Sequence, residues 1–200
     1  PIRSLLNISH RNGIRLSRLV DNILLAQKID INALTLESGP VDLGQLLEES
    51  FEENKMFASE RGVRLHLGSI MPAVVTGDAF AIRQIVDNII SNAIKFSDDN
   101  GVVEGVLSTF NGQVRLSIKN AGRGIPEGME SQVFGRFEQV ENSGQSSTQG
   151  SGLGLHISKK LAQQMSGNIF YESQVGVDTT FHVEFQLADH QAIEPAKHAR

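Results

Sequence analysis

Asp78-Ala79-Phe80-Ala81-Ile82-Arg83-Gln84-Ile85-Val86-Asp87-Asn88-Ile89-Ile90-Ser91-Asn92-Ala93-Ile94-Lys95 decides the fold of this 200-residue chain. Asp78 is a residue type that caps helices, because its carboxylate can accept from the first free backbone amides. Behind it Ile82, Ile85, Val86, Ile89 and Ile90 recur at helical spacing and form a buried stripe. Asn88 and Asn92, four apart, share a different face. So apolar a helix must lie against a second layer. The chain supplies one directly, in strands expected near Val102–Phe110 and Gln113–Lys119, joined by the hairpin signal Asn111-Gly112.

Working outward, the same grammar continues. Leu43 to about Glu60 reads as a helix with Leu46, Leu47, Phe51 and Phe57 facing inward, and Val63–Leu67 alternates like a strand. Downstream come a Gly- and Ser-rich stretch, a helix from about Gly152 to Met165, and strands near Asn168–Glu172 and Thr180–Gln186. The sum is a two-layer α/β sandwich. Upstream, Ile2 to about Leu36 reads as one long amphipathic helix with Leu16, Leu19, Val20, Ile23 and Leu24 in a stripe, ended by Gly39-Pro40. Such a helix suits a bundle or coiled coil. From Ala188 onward the sequence is polar and aperiodic, like a tail. The division expected is 1–38 bundle helix, 41–187 sandwich and 188–200 tail or linker.

Composition narrows the classes. A net charge of −5 argues against a nucleic-acid surface, which needs a dense basic face. The absence of cysteine removes disulfides and thiolate metal sites. No apolar run reaches the length of a membrane span, so no membrane contact is expected from these residues. The start at Pro1-Ile2-Arg3, inside a helical pattern, reads as a piece of a longer protein. The expectation is a cytoplasmic domain, which leaves room for a membrane-bound parent.

Three segments carry chemistry. In the first, Asn88 and Asn92 offer amide oxygens, hard neutral ligands suited to Mg²⁺ already neutralised by phosphates, and Lys95 offers a point charge. A merely solvated helix face is the alternative. The second, Asn120-Ala121-Gly122-Arg123-Gly124-Ile125-Pro126, follows a strand with glycines that let backbone approach a flat ring; an ordinary loop is the alternative. The third, Gly150-Ser151-Gly152-Leu153-Gly154-Leu155, opens a helix whose first amides and partial positive charge suit a phosphate; a simple cap would look similar.

In this order the three segments resemble the N, G1 and G2 boxes of sensor histidine kinases, of the GHKL superfamily with the Bergerat ATP-binding fold. Phe134-Gly135-Arg136-Phe137-Glu138-Gln139 resembles the F box, Asn142–Gly150 the mobile lid over ATP, and Gly176…Thr179-Thr180-Phe181 a further family motif. Arg15–Val20 and Leu25–Ile29 resemble the second helix of the dimerisation bundle. The resemblance implies a histidine protein kinase domain that binds ATP and Mg²⁺. Asn92 would be the metal ligand, with Asn88 and Lys95 beside it. Asn120, Gly122, Gly124, Ile125, Phe137, Gly150, Gly152, Leu153, Gly154 and Thr180 would hold the nucleotide. It also implies a response regulator or receiver domain as partner and a homodimer in the full-length protein.

Several positions depart from the family. The helix bearing the phospho-acceptor histidine is expected outside this chain, with Pro1 its last trace. His10, followed by Arg11-Asn12-Gly13, lacks the adjacent acid and reads as a helix-surface residue, so the chain alone is expected not to autophosphorylate. Asn120 stands where the family has an Asp that accepts from the adenine amino group. Between Val140 and Gly154 there is no Arg or Lys, and Asp178 stands where many relatives have Gly. These changes define an alternative, a degenerate kinase-like domain with weak nucleotide binding that acts through dimerisation or docking. The related hydrolases place a water-activating Glu where this chain has Asn88, an amide that cannot be a general base.

Overall fold

The computed structural model describes residues 2–31, 33–138 and 152–188. Gln139, the lid Asn142–Gly150 with its Gly150, Ser151, nearly all of the tail and the side chain of His10 lie outside the described residues.

Helix α1 (Ile2–Asp30) is followed by strand β1 (Gly39–Asp42), helix α2 (Leu43–Glu60), β2 (Arg64–Ile70), β3 (Val74–Gly77) and helix α3 (Ala79–Phe96). The hairpin β4 (Val102–Phe110) and β5 (Gln113–Ala121), the short α4 (Glu130–Val133), α5 (Gly154–Gln164), β6 (Asn168–Gln174) and β7 (Asp178–Gln186) complete it. Five strands form one sheet in the order β2-β4-β5-β7-β6, with β2 parallel to β4 and the other neighbours antiparallel. Asn111 and Gly112 turn the β4–β5 hairpin at φ 48° and 77°, the left-handed pair that matches strand twist.

Burial explains the layering. Ile82, Ile85, Val86, Ile89 and Ile90 of α3 are all at most 1% exposed. They pack with Leu43, Leu47 and Phe51 of α2, Ile157 and Leu161 of α5, and Val103, Leu107, Leu116, Ile118, Phe181 and Val183 of the sheet. Helices cover one sheet face, as the two-layer expectation required.

Two local readings change. The first helix ends at Asp30 rather than near Leu36, and Gly39-Pro40 belongs to β1, which pairs antiparallel with β3 in a separate two-stranded sheet. Between them the half-buried Leu34 and Leu36 alternate with exposed Ala33, Thr35 and Glu37, a period of two that suits extended chain. The stripe on α1 also divides: Leu19 and Ile23 pack against the core, whereas Leu16, Val20 and Leu24 are exposed. The end of α1 docks through buried Ala26 and Ile29 and an ion pair, Arg136 Nη1 donating to Asp30 Oδ2 at 2.8 Å.

Candidate functional site

The site is built along α3. Steps of four residues put Asn88, Asn92 and Phe96 on one stripe, about 100° of arc away from the isoleucines of the core. The stripe leads from the start of α5 to the loop after β5.

At the α5 end, Asn88 is not on a solvated face. Its Nδ2 donates to the Gly154 carbonyl and to Ser158 Oγ, both at 3.2 Å, which leaves Oδ1 as its open acceptor. Ser158 itself is fully buried. The side chain of Asn92, one turn on and half-buried, makes no hydrogen bond among the described residues. Lys95 is half-buried as well. Beside the stripe, Asp87 turns the other way: it is hydrogen-bonded to Ser50, and burial pushes its carboxyl above the ordinary range against that bond and the nearby Arg83 charge.

Helix α5 begins without a side-chain cap and without an acid in its first turn. Gly152, two residues earlier, has φ +66°, and a Cβ there would lie 2.8 Å from the Phe137 carbonyl carbon. Its carbonyl accepts from the Phe137 amide at 3.0 Å. Leu153 is fully buried. Phe137 is therefore joined to the α5 entrance by its backbone, while its ring is 56% exposed beside Arg136. Phe134 is the buried aromatic of this segment, packed on Phe181 and Tyr171, with its carbonyl 3.1 Å from His156 Nδ1.

At the other end of the stripe the chain leaves β5. A Cβ on Gly122 would come within 2.1 Å of the Phe96 carbonyl oxygen, so only glycine lets this backbone cross the end of α3. Gly124, at φ +69°, also runs close to backbone, where a Cβ would come within 2.5 Å of the Gln174 carbonyl oxygen. The Ile125 amide donates to Ser173 Oγ at 2.9 Å, and that hydroxyl donates to the Asp178 carbonyl and meets Thr179 Oγ1. Asn120 is 3% exposed on the inner sheet face, and its Nδ2 makes a long 3.3 Å bond to the Ala121 carbonyl. Between the two glycines, Arg123 lies with its guanidinium over the Phe96 ring, and burial lowers its pKa below the usual value.

Thr180 is out of step with the sheet face that carries Asn120. Thr180 pairs with Lys119 and Glu172, and strand alternation turns it to the sheet face away from the helices. Thr179 pairs with Asn120, is buried and faces the helices. Counting by twos from the core residue Phe181 reaches Thr179, so parity was the available signal. Ser173, Ser158 and Arg123 are further residues here; the two serines act through partners distant in sequence, and Arg123 stands inside the second segment without a role of its own.

Among the described residues no group of three His, Asp or Glu could hold a metal. A cation here would rest on amide oxygens together with the ligand's own oxygens, and Asn92, with no internal partner, fits that demand.

The family described as "Histidine kinase-, DNA gyrase B-, and HSP90-like ATPase" matches residues 77–189. "Histidine protein kinase 1" of Candida albicans is 34% identical over 82% of this chain, which spans 7% of that protein. "Signal transduction histidine-protein kinase BarA" of Escherichia coli is 32% identical over 96% of this chain, which spans 22% of it. Among solved structures, full-length ShkA in complex with AMPPNP superimposes with a TM-score of 0.80 at 27% identity, covering 93% of this chain and 39% of that one. A mycobacterial sensor histidine kinase, MprB, gives 0.66 at 27% identity, covering 76% of this chain and 98% of that one.

Proposed function

This chain belongs to the histidine kinase-, DNA gyrase B-, and HSP90-like ATPase family, and from that premise we propose that it is the ATP-binding catalytic part of a two-component sensor histidine kinase. The single observation that carries the reading is the joint between α3 and α5: Asn88 grips the Gly154 carbonyl while Asn92 is left open one turn away. That arrangement sets an amide oxygen beside a helix start that has no acid in its first turn and no cap from the Leu153 side chain.

On this reading α5's first amides and Gly152–Gly154 bind the phosphates, with Lys95 contributing charge. Asn120, Thr179 and the Gly122–Ile125 loop bind the base end. Mg²⁺, when bound, would neutralise phosphate charge, with Asn92 as its protein ligand and Asn88 Oδ1 nearby. The chain's part in phosphoryl transfer is then positioning rather than covalent chemistry. Asn88 donates two hydrogen bonds and cannot take a proton from water, which favours transfer to a histidine over hydrolysis. The proposal extends to the organisation: residues 1–38 as the second bundle helix of a homodimer, 41–187 as the nucleotide domain, 188–200 as a connection, and a response regulator or receiver domain as partner. Among the described residues no helix is long and apolar enough to cross a membrane.

Calorimetric titration of ATP with and without Mg²⁺ tests the site. Asn92→Ala should remove the Mg²⁺-dependent part of the affinity, a loss of about tenfold or more, because one charge-assisted ligand bond is of order 1.5–3 kcal/mol. The melting temperature should stay put, since the side chain has no internal partner. A collapsed melting temperature with unchanged affinity would make Asn92 structural and defeat the reading.

A further inference from the structure

We propose that Ser158 is a positioning residue, whose buried hydroxyl fixes the plane of the Asn88 side-chain amide and so holds Oδ1 in place at the joint between α3 and α5. The inference rests on the reading of that joint as the phosphate and cation end of a nucleotide site.

The hydroxyl first needs a reason to be where it is. Helix α5 buries Ile157, Ser158, Leu161 and Ala162, so Ser158 is the polar member of an otherwise apolar face. It is 0% exposed. Serine is a poorer helix former than alanine, and a hydroxyl taken out of water costs free energy unless it is hydrogen-bonded. Packing alone would be served better by alanine. Across the interface this hydroxyl meets Asn88, whose Nδ2 donates to Oγ at 3.2 Å.

The consequence of that bond lies in its direction. Asn88 Nδ2 also donates to the Gly154 carbonyl at 3.2 Å. A carbonyl can only accept, so it settles which end of the amide faces α5. It does not settle the plane. With that bond alone the amide could swivel about the N–H···O line and carry Oδ1 around an arc. The two N–H groups diverge within the amide plane, and Ser158, one turn after Gly154, supplies the second acceptor that stops the swivel. Oδ1 is then held beside the first residue of α5, where a Cβ on Gly154 would lie 3.3 Å from it. One turn along α3 from there stands Asn92. A fixed acceptor next to a second amide is arranged in advance for a cation, which lowers the ordering cost of binding.

The test uses the 200-residue chain and measures ATP affinity with Mg²⁺ and with EDTA, melting temperature, and the Asn88 side-chain NH₂ resonances, assigned by their loss in Asn88→Ala. In the ligand-free chain Ser158→Ala should move one of the two NH₂ protons, because one of its two acceptors is gone. With Mg²⁺ it should weaken ATP about fivefold, the size of one neutral hydrogen bond, and in EDTA it should leave affinity within about twofold. In an Asn88→Ala background Ser158→Ala should bring no further loss of Mg²⁺-dependent affinity, since its effect passes through Asn88. Unmoved NH₂ resonances with unchanged affinity would overturn the proposal while the nucleotide site stands. Equal losses with Mg²⁺ and with EDTA, alongside a lowered melting temperature, would make Ser158 a packing residue and overturn it too. So would additive losses in the double variant. A parent chain that binds ATP no better with Mg²⁺ than with EDTA would defeat the cation site itself, and this inference with it.

Discussion

Helices α3 and α5 pack side by side but begin in opposite ways. Asp78 closes the start of α3: Oδ1 accepts from the Ala81 amide at 2.9 Å and Oδ2 from the Glu37 amide at 2.7 Å. Helix α5 starts at Gly154 with Leu153 at the cap position, whose side chain caps nothing. It is held from the sides instead, by Asn88 on the Gly154 carbonyl, by Phe137 on the Gly152 carbonyl and by His156 against the Phe134 carbonyl. A helix start satisfied by its own chain is structure. One that is clamped through its carbonyls, with no cap from its own N-cap side chain, is held differently: its neighbours fix its position.

The sharpest way to break this contrast is Gly152→Ala. A Cβ there would lie 2.8 Å from the Phe137 carbonyl carbon and 2.9 Å from the Glu138 oxygen, at φ +66°. Overlap with backbone cannot be relieved by a rotamer change, so the entrance of α5 must shift. Destabilisation of about 2–3 kcal/mol is expected in urea denaturation, together with loss of ATP affinity. Full stability with full affinity would show that the clamp does not set the nucleotide site.

Asn88→Asp sharpens the contrast next. A carboxylate closes the start of α3 because it faces amides. Facing the Gly154 carbonyl and Ser158 Oγ at 3.2 Å, it replaces a donor with a charge that can only accept. The expected loss is about 1.5–3 kcal/mol at neutral pH. Burial and the facing carbonyl raise the pKa of the introduced carboxyl above its unfolded value of about 3.9. The sign follows: stability is closest to the parent chain below that value, where the carboxyl is a donor, and falls as pH rises through the raised folded pKa. Denaturation midpoints at acidic and neutral pH check it; a flat difference between the two chains would show that the amide donates nothing.

How much of this was legible in the sequence depends on where each bond is made. The α3 core face and its Asp78 cap were readable, because periodicity and cap lie within one short stretch. So was the β4–β5 hairpin, whose turn is chemically explicit at Asn111-Gly112. Strands β1 and β3 were not, since four residues each give no alternation to count and their pairing is settled by tertiary contact. The end of α1 was set too late because the helical reading ran on to Gly39-Pro40 past Leu34 and Leu36, whose spacing of two is that of extended chain. In the site, the residue types on α3 were visible but not the work of Asn88, which depends on Ser158, 70 residues away in sequence. The motif Thr179-Thr180 names both residues, but only the parity of the strand tells that Thr179 shares the inner face with Asn120.

Asp78→Ala gives the smallest effect and the cleanest control. The substitution removes the acceptor of the Ala81 amide and of the Glu37 amide, so the start of α3 and the extended chain before β1 each lose a bond. Cap removal typically costs about 1 kcal/mol, and a second partner raises that toward about 2 kcal/mol. Ala81 is 2% exposed, so its amide is left unpaired rather than turned to water, which puts the loss at the upper end of that range. Asp78→Asn should restore most of the loss, because an amide oxygen caps nearly as well as a carboxylate. Nucleotide affinity should be unchanged in both, since this end of α3 lies several turns from Asn88 and Asn92, on the far side of the Ile82–Ile90 core stripe. A fall in ATP affinity equal to that of Gly152→Ala would mean that the two helix starts act as one unit, and the division between a start closed by its own cap and one held by its neighbours would be lost.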